Sequence, residues 1–583
     1  MLVTLLSWLY IAATAFLCGI LVLRPLRGRG LSPQDSFDLI FFVGLAALTA
    51  YAQLFSLFAP VGPAATLILV LICAVAAVAM RRSLAAYGAH VRAWLKKPHV
   101  WLTLLLLGLA LLVVAAGPAH HYDTDLYHAQ AIRWIEEFGI VKGLGNLHSR
   151  LAYNSAFFSL QALYSLKFLS GQSLHSLNGL IVYVMLAYAF VSLSFFHRRR
   201  FAASDLIKIC FFLYFFLGGV HYGLASPGTD IATLYLVLYL AAKWAEYAEQ
   251  EAASAIGSES ALTEYGLLCI LAVWALTLKL SALTLLLLAV CPAVRLIAGR
   301  KWKKIALFML MGLALLLPFL ARNVVVSGYL VFPLAASDPW ALDWKMPLEV
   351  LRSHSVEIRA YGRGMTEPGT YLAPLAVWLP LWYGRLSAVA RGLLWTNALC
   401  LPLALYLAVS SLRRKKDGPL MNLLAVAVVS LAYWLFHAPL ERYGYVYLLL
   451  LPALTGGLIR DRMAARGQRR QRRKRPRPTR RIVAVAAATI LCLGVLAFIG
   501  LARVRPDIVE RYFSPPLLMP DDYTVYDSAA REWQQMLMYI PVQGGDDRLG
   551  YHNFPATPDA HLLDSIELRG AGLREGFRRI KND

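Results

Sequence analysis

Residues 101–128 read WLTLLLLGLALLVVAAGPAHHYDTDLYH, and the change of character at Pro118 decides how the chain is to be read. From Trp101 to Gly117 no side chain is charged, and a run of that length satisfies its own backbone polar groups in hydrocarbon only as a helix. From His120 to His128 the chain instead gathers Asp123, Asp125 and three histidines. A charged group at the bilayer centre costs roughly 2.5–3.5 kcal/mol on insertion scales. The cluster therefore belongs at the membrane surface, and it is the first candidate for chemistry.

Working outward, the rest of the chain has the same apolar character. Of 583 residues 59% are hydrophobic and 16% charged, with a mean hydropathy of +0.57. Soluble domains carry about 25% charged residues. Apolar runs recur at 2–23, 37–59, 64–80, 100–117, 175–196, 206–222, 229–245, 262–277, 280–298, 305–322, 391–411, 419–437, 443–459 and 482–502, which predicts an all-α polytopic membrane protein with about fourteen spans. No basic residue precedes the first run, so it lacks the n-region of a signal peptide and reads as a retained span. The seven cysteines all lie in apolar runs and none forms a CxxC pair, which argues against a disulfide framework or a zinc site. No repeat at a period of 20–50 residues is visible, nor an inverted pair of broken helices.

A net charge of +23 raises nucleic-acid binding, but the distribution of Lys and Arg excludes it. Basic clusters follow the odd-numbered runs, including Arg24/Arg27/Arg29, Arg81/Arg82/Lys96/Lys97, Arg198–Arg200, Arg300/Lys301/Lys303/Lys304, Arg413–Lys416 and the dense stretch Arg460–Arg481. That is the positive-inside pattern, and it predicts both termini outside. The Asp123/Asp125 loop, the loop 323–390 and the tail 503–583 then face the extracytoplasmic side. The apolar, aromatic-rich segments 151–170 and 371–384 spoil the parity if counted as spans and read as interfacial helices on the outer leaflet. The organisation expected is residues 1–99 as additional N-terminal helices, 100–502 as the core with outer loop 118–174, and 503–583 as a small outer region with an amphipathic helix at 528–539.

Three constellations could carry chemistry. Asp123 or Asp125 could act as general base toward an acceptor hydroxyl, and the i, i+2 spacing could let both bind a divalent cation such as Mg or Mn. His120, His121 and His128 add proton-transfer or metal-binding groups, with Tyr127 beside them; the bland alternative is that the cluster caps the helix 126–138. That helix is amphipathic, and the loop after it, with Asn146, His148 and Arg150, either shapes a pocket or merely connects. Finally, Lys279, Arg322 and Arg442 stand at outer span ends against the general charge bias. They suit a lipid-linked phosphate, or else snorkel to headgroups. Asp230, after Ser226-Pro227-Gly228-Thr229, reads as a helix cap.

Taken together, the chain resembles the GT-C superfamily of membrane glycosyltransferases. The likeness rests on a long span ending outside and on Asp123-Thr124-Asp125-Leu126-Tyr127-His128-Ala129 in the first large outer loop. An amphipathic helix follows to Gly139, and the stretch Arg322-Asn323…Ser327-Gly328-Tyr329…Phe332-Pro333 comes later. More closely, Gly143-Leu144-Gly145-Asn146-Leu147-His148-Ser149-Arg150 and Arg569-Gly570…Glu575-Gly576-Phe577-Arg578 resemble a family of bacterial GT-C-like proteins without established function. The resemblance covers most of residues 100–583 and is specific in those short motifs. It implies a bacterial inner-membrane enzyme that moves a sugar from a polyprenyl-phosphate donor to a glycan, lipid or protein acceptor on the outer face. Asp123 or Asp125 would be the base, and Lys279, Arg322 and Arg442 would take the donor phosphate. Three spans precede the acidic loop here, and Asp-Thr-Asp replaces an adjacent acid pair, which leaves open which acid is the base and whether metal is used. An O-antigen ligase-like enzyme would instead rely on Arg352, His354, Arg359 and Arg363 in the late loop. A transporter for lipid-linked saccharides would need ionisable groups buried inside several spans.

Overall fold

The computed structural model describes every residue except 28–34, 96–97, 194–201, 413–417, 469–505, 543–545 and 581–583. The helices that build and position the site are α1 (Leu2–Arg27), α2 (Phe37–Ser56), α3 (Ala129–Phe138), α4 (Ala156–Tyr164), α5 (Thr229–Ala252), α6 (Ser258–Leu278), α7 (Trp302–Ser327), α8 (Leu348–Gly362), α9 (Leu375–Arg385), α10 (Gly418–His437) and α11 (Glu441–Gln468). Four short strands follow: β1 (Ser528–Trp533), β2 (Met536–Pro541), β3 (Ile566–Leu568) and β4 (Phe577–Arg579).

Among the described residues seven helices are long and apolar enough to cross a membrane, not fourteen. They are α1, α2, α6, Leu280–Ala298, α7, Ala388–Ser411 and α10; the pair Pro63–Ala79 and Arg81–Ala89, bent by 77°, makes an eighth if it is one span. The expected spans at 100–117 and 175–196 become Val100–Ala115 and Leu177–Val191, which are too short. Fifteen residues rise only about 23 Å against a hydrocarbon core of about 30 Å. The span expected at 206–222 stops at Leu217, where Gly219 at φ 61° turns the chain. Helix α5 is long enough but carries Asp230, Lys243 and Glu246. The span expected at 482–502, and the basic clusters around 198–200, 413–416 and 469–475, lie outside the described residues.

The centre of the bundle is aromatic. Tyr235, Tyr239 and Trp244 of α5, Tyr265 and Trp274 of α6, and Phe41 and Phe42 of α2 are fully buried against one another. Side chains of this size each remove 150–250 Å² from solvent. Helices α1 and α2 cross at backbone contact, because a Cβ on Gly44 would overlap the carbonyl of Ala15 and one on Gly19 that of Ile40. Small residues at a crossing let two helices approach closely enough for dispersion to hold them.

One segment departs from the expectation of surface helices. Within 151–170, α4 is buried along its whole length, packed on α2, α3 and α6. It is apolar on every side, so it sits inside the bundle rather than along a boundary. The helix at 126–138 likewise turns Ile132, Trp134 and Ile135 inward, under the C-terminal region. Helix α9 buries Trp378 and Trp382 and exposes Leu375, Val377 and Leu381.

The tail is not helical at 528–539; it carries four short strands beside an otherwise helical chain. β1 and β2 form an antiparallel hairpin with Ser528 opposite Pro541 and Trp533 opposite Met536. Gln534 (φ 47°) and Gln535 (φ 65°) supply the two left-handed positions that a two-residue hairpin turn requires. β3 and β4 form a second hairpin. The tail is anchored by the Asp521 N–H on the Ala116 carbonyl (2.9 Å), the Thr557 hydroxyl on the Leu147 carbonyl (2.9 Å) and the Phe577 N–H on the Lys142 carbonyl (2.9 Å). It therefore straps the whole segment 116–147, acidic loop included.

Candidate functional site

Thr124–His128, leading into α3, forms a single π-turn, a local bulge that re-aims side chains and is frequent at functional sites. Its base is fixed where the Thr124 and Ser226 hydroxyls bond at 2.5 Å and Asn178 donates to the Ser226 and Gly228 carbonyls at 2.7 Å each. The turn gives Asp123 and Asp125 entirely different neighbours.

Asp125 is buried, with 2% of its surface exposed. Its Oδ2 accepts a hydrogen bond from the Tyr526 hydroxyl at 2.8 Å, and its carbonyl accepts from the Gly550 N–H at 2.8 Å. Among the described residues Oδ1 has no hydrogen-bond partner. Burial pushes this carboxyl up to about 6, against the opposing pull of Tyr526 and Arg548. Asp125 thus belongs to the seam between the turn and the C-terminal strap.

Asp123 has a side chain 24% exposed. The guanidinium groups of Arg150 and Arg442 each lie 3.8 Å from its carboxylate, with His121 Nδ1 at 3.9 Å. Arg442, at the start of α11, donates to the Tyr443 hydroxyl (2.9 Å) and lies 4.9 Å from that ring's centroid. Lys279, just after α6, sits 4.0 Å from the same centroid and pairs with Asp230 in the first turn of α5. Tyr443 therefore joins the two cations. Arg150 also approaches Glu357 of α8 (4.0 Å), which His354 meets at 3.8 Å.

The remaining sequence-derived candidates fall into other settings. Burial holds His121 below its ordinary value, and pushes His128 and His148 down to about 3, so all three are neutral imidazoles at pH 7. Tyr127 is packed on His128 (4.4 Å between centroids) within electrostatic reach of Asp123 and Asp230. Asn146 donates to the Trp344 carbonyl (2.8 Å), bracing the loop 323–390. His120 stands at the edge, 4.0 Å from Asp507. Arg322, 3% exposed, donates to Asn154 Oδ1 (3.0 Å), to the Ser56 hydroxyl and to the Gly139 carbonyl (3.2 Å). It thus meets the C-terminal ends of α2 and α3, where helix dipoles favour a cation. The cavity it lines, about 20 Å³, has room for one water. Arg322 is a clamp between helices and does not reach the Asp123 cluster.

The two acids of the expected cation site have different neighbours, since Asp123 faces Arg150 and Arg442 and Asp125 faces Tyr526. Among the described residues no group of three or more His, Cys, Asp and Glu side chains could hold a metal ion. Sequence reasoning read Asp230 as a cap; the N-cap of α5 is Gly228, and the Asp230 carboxylate serves Lys279 instead. Tyr443, Glu357 and Tyr526 were missed altogether. Only the adjacency of Tyr443 to Arg442 could have pointed to one of them.

A family model described as a domain of unknown function (DUF8201) matches residues 1–449. No curated protein and no solved structure matches the chain.

Proposed function

We propose, from the premise that the chain belongs to the DUF8201 family, that this protein is a membrane glycosyltransferase of GT-C type. It would transfer a sugar from a polyprenyl-phosphate donor to a glycan, lipid or protein acceptor on the extracytoplasmic face of a bacterial inner membrane. The observation that carries this reading is the division of labour between the two acids. Asp123 is solvent-reachable and set between Arg150 and Arg442, whereas Asp125 is sealed under the strap. Asp123 is then the general base. It takes the proton of the acceptor hydroxyl as that oxygen bonds to the anomeric carbon, and the bond from that carbon to the phosphate oxygen breaks, releasing the lipid phosphate. Arg150 and Arg442 hold the carboxylate in line, and the Lys279–Asp230 pair with Tyr443 supports Arg442.

Asp123→Asn and Asp125→Asn, assayed separately in membranes with a labelled polyprenyl-phosphate sugar, test this. The expected result is a loss of transfer by about 10²–10⁴-fold in D123N with donor binding retained, and transfer kept in D125N. Full transfer by D123N would overturn the assignment.

One observation favours a second reading, transport of a lipid-linked saccharide. Asp38, Asp205, Lys208, Lys243 and Glu246 form a buried network, with Lys243–Asp38 at 2.8 Å and Lys208–Glu246 at 2.7 Å. Asp38 and Asp205 stand in the first turns of their helices, so the network gathers at helix ends, where an ion-pair clip suffices. Translocation without transfer in the same membranes would favour the transporter.

A further inference from the structure

The three cations expected to take a lipid phosphate are already engaged: Lys279 by Asp230, Arg442 by Asp123, and Arg322 by buried oxygens. A second group of cations stands on the same side of the bundle. The loop Ala438–Leu440, between α10 and α11, carries His437 at one end and Arg442 at the other. Trp382 Nε1 braces it by donating to the Pro439 carbonyl (2.7 Å), and Trp434 Nε1 to the Leu440 carbonyl (3.0 Å). The end of α8 packs on this loop, with Gly362 directly against Ala438.

Around that contact Arg359, Arg363, Arg385 and His437 converge. Arg363 donates to the Phe436 carbonyl (3.0 Å), lies 4.5 Å from the centroid of the Trp378 ring and, among the described residues, leaves its buried Nε without a hydrogen-bond partner. Arg385 donates to the Gly364 carbonyl, beside Arg363. Arg359 and Arg363 both act electrostatically on His437, whose ring stacks on Tyr433 at 5.0 Å. Among the described residues none of these four bases has a carboxylate partner. The three guanidinium charges stand near one another without an acid and repel, and an anion with several oxygens removes that cost while offering each guanidinium charge-assisted bonds. Tyr447 of α11 lies within electrostatic reach of both Tyr433 and Lys279.

We propose that Arg359, Arg363, Arg385 and His437 form a phosphate-binding site that holds the phosphate of the lipid-linked substrate while its sugar lies toward Asp123. The inference rests on the glycosyltransferase reading for its occupant, but the site itself is defined by the unpaired bases. Phosphate could come from the polyprenyl carrier, from a bulk phospholipid headgroup or from solution.

Full-length protein in phosphatidylcholine nanodiscs, titrated with radiolabelled polyprenyl monophosphate, tests it. Arg359→Gln with Arg363→Gln should weaken binding at least about tenfold. Arg359→Lys with Arg363→Lys should recover part of it, and unchanged melting would show that the Gln variant folds. Competition by inorganic phosphate would show that the phosphate alone is recognised. Competition by phosphatidylglycerol would show that any lipid phosphate suffices; failure of both to compete assigns the site to the polyprenyl carrier. Equal binding by wild type and the folded Gln variant overturns the proposal. D123N should bind normally. If wild type never transfers a sugar while the Gln variant still loses binding, the phosphate site stands and the catalytic reading falls.

Discussion

Asp125 ties the acidic turn to the C-terminal strap, and its ionisation should set how tightly the strap is held. With the strap docked, burial pushes the carboxyl up to about 6; with the strap released it returns to the ordinary value near 3.9. The docked form therefore binds its proton more tightly, so docking is strongest below about pH 4 and weakens as pH rises from there to about 6. Two pH units at 1.36 kcal/mol each give a loss of about 3 kcal/mol by pH 7. Hydrogen exchange of the Leu549 and Gly550 amides, which both donate to the Asp125 carbonyl, reports strap opening directly. Opening free energy in the wild type should fall by about 2–3 kcal/mol between pH 4 and pH 7 after correction for intrinsic exchange. Asp125→Asn should remove that slope. Glu136, which burial also raises and which accepts from Tyr551, is common to both proteins and cancels in the difference. The same slope in D125N and wild type would refute the coupling.

Two further changes probe the scaffold. Arg322→Gln leaves the buried oxygens of Ser56, Asn154 and Gly139 short of donors and should cost about 1–3 kcal/mol, seen as reduced yield and lower melting temperature with normal transfer per folded molecule. A well-folded R322Q that binds no donor would return Arg322 to the substrate site. Gly44→Ala should drive α1 off α2 at a cost of about 1–3 kcal/mol. Gly62→Ala, with no described residue within 4 Å of the added Cβ, should melt like wild type, and equal melting of the two variants would contradict the crossing described.

The helical, apolar character of the chain was legible from its hydropathy, as was the loop that holds the candidate acids. The number of spans was not. Hydropathy registers apolar runs, but it does not show where a helix stops short, as at Gly218–Gly219, or that α4, apolar on every side, is swallowed by the bundle. The tail misled for a related reason. Residues 528–539 have a helix-compatible apolar spacing, and the hairpin is decided by Gln534 and Gln535 accepting left-handed backbone angles, which no glycine signals.

What the sequence by itself determined is the class of element and the address of the polar cluster, because both follow from the cost of placing polar groups in hydrocarbon, which is local. Which acid is free and which is sealed was decided only by the tertiary structure. Tyr526 and Gly550 reach Asp125 across more than 400 positions, and Arg442 reaches Asp123 across more than 300. Asp123 and Asp125 stand two residues apart and are chemically identical in isolation. Burial under a distant strand of chain makes one of them a structural acid and leaves the other beside two arginines and solvent.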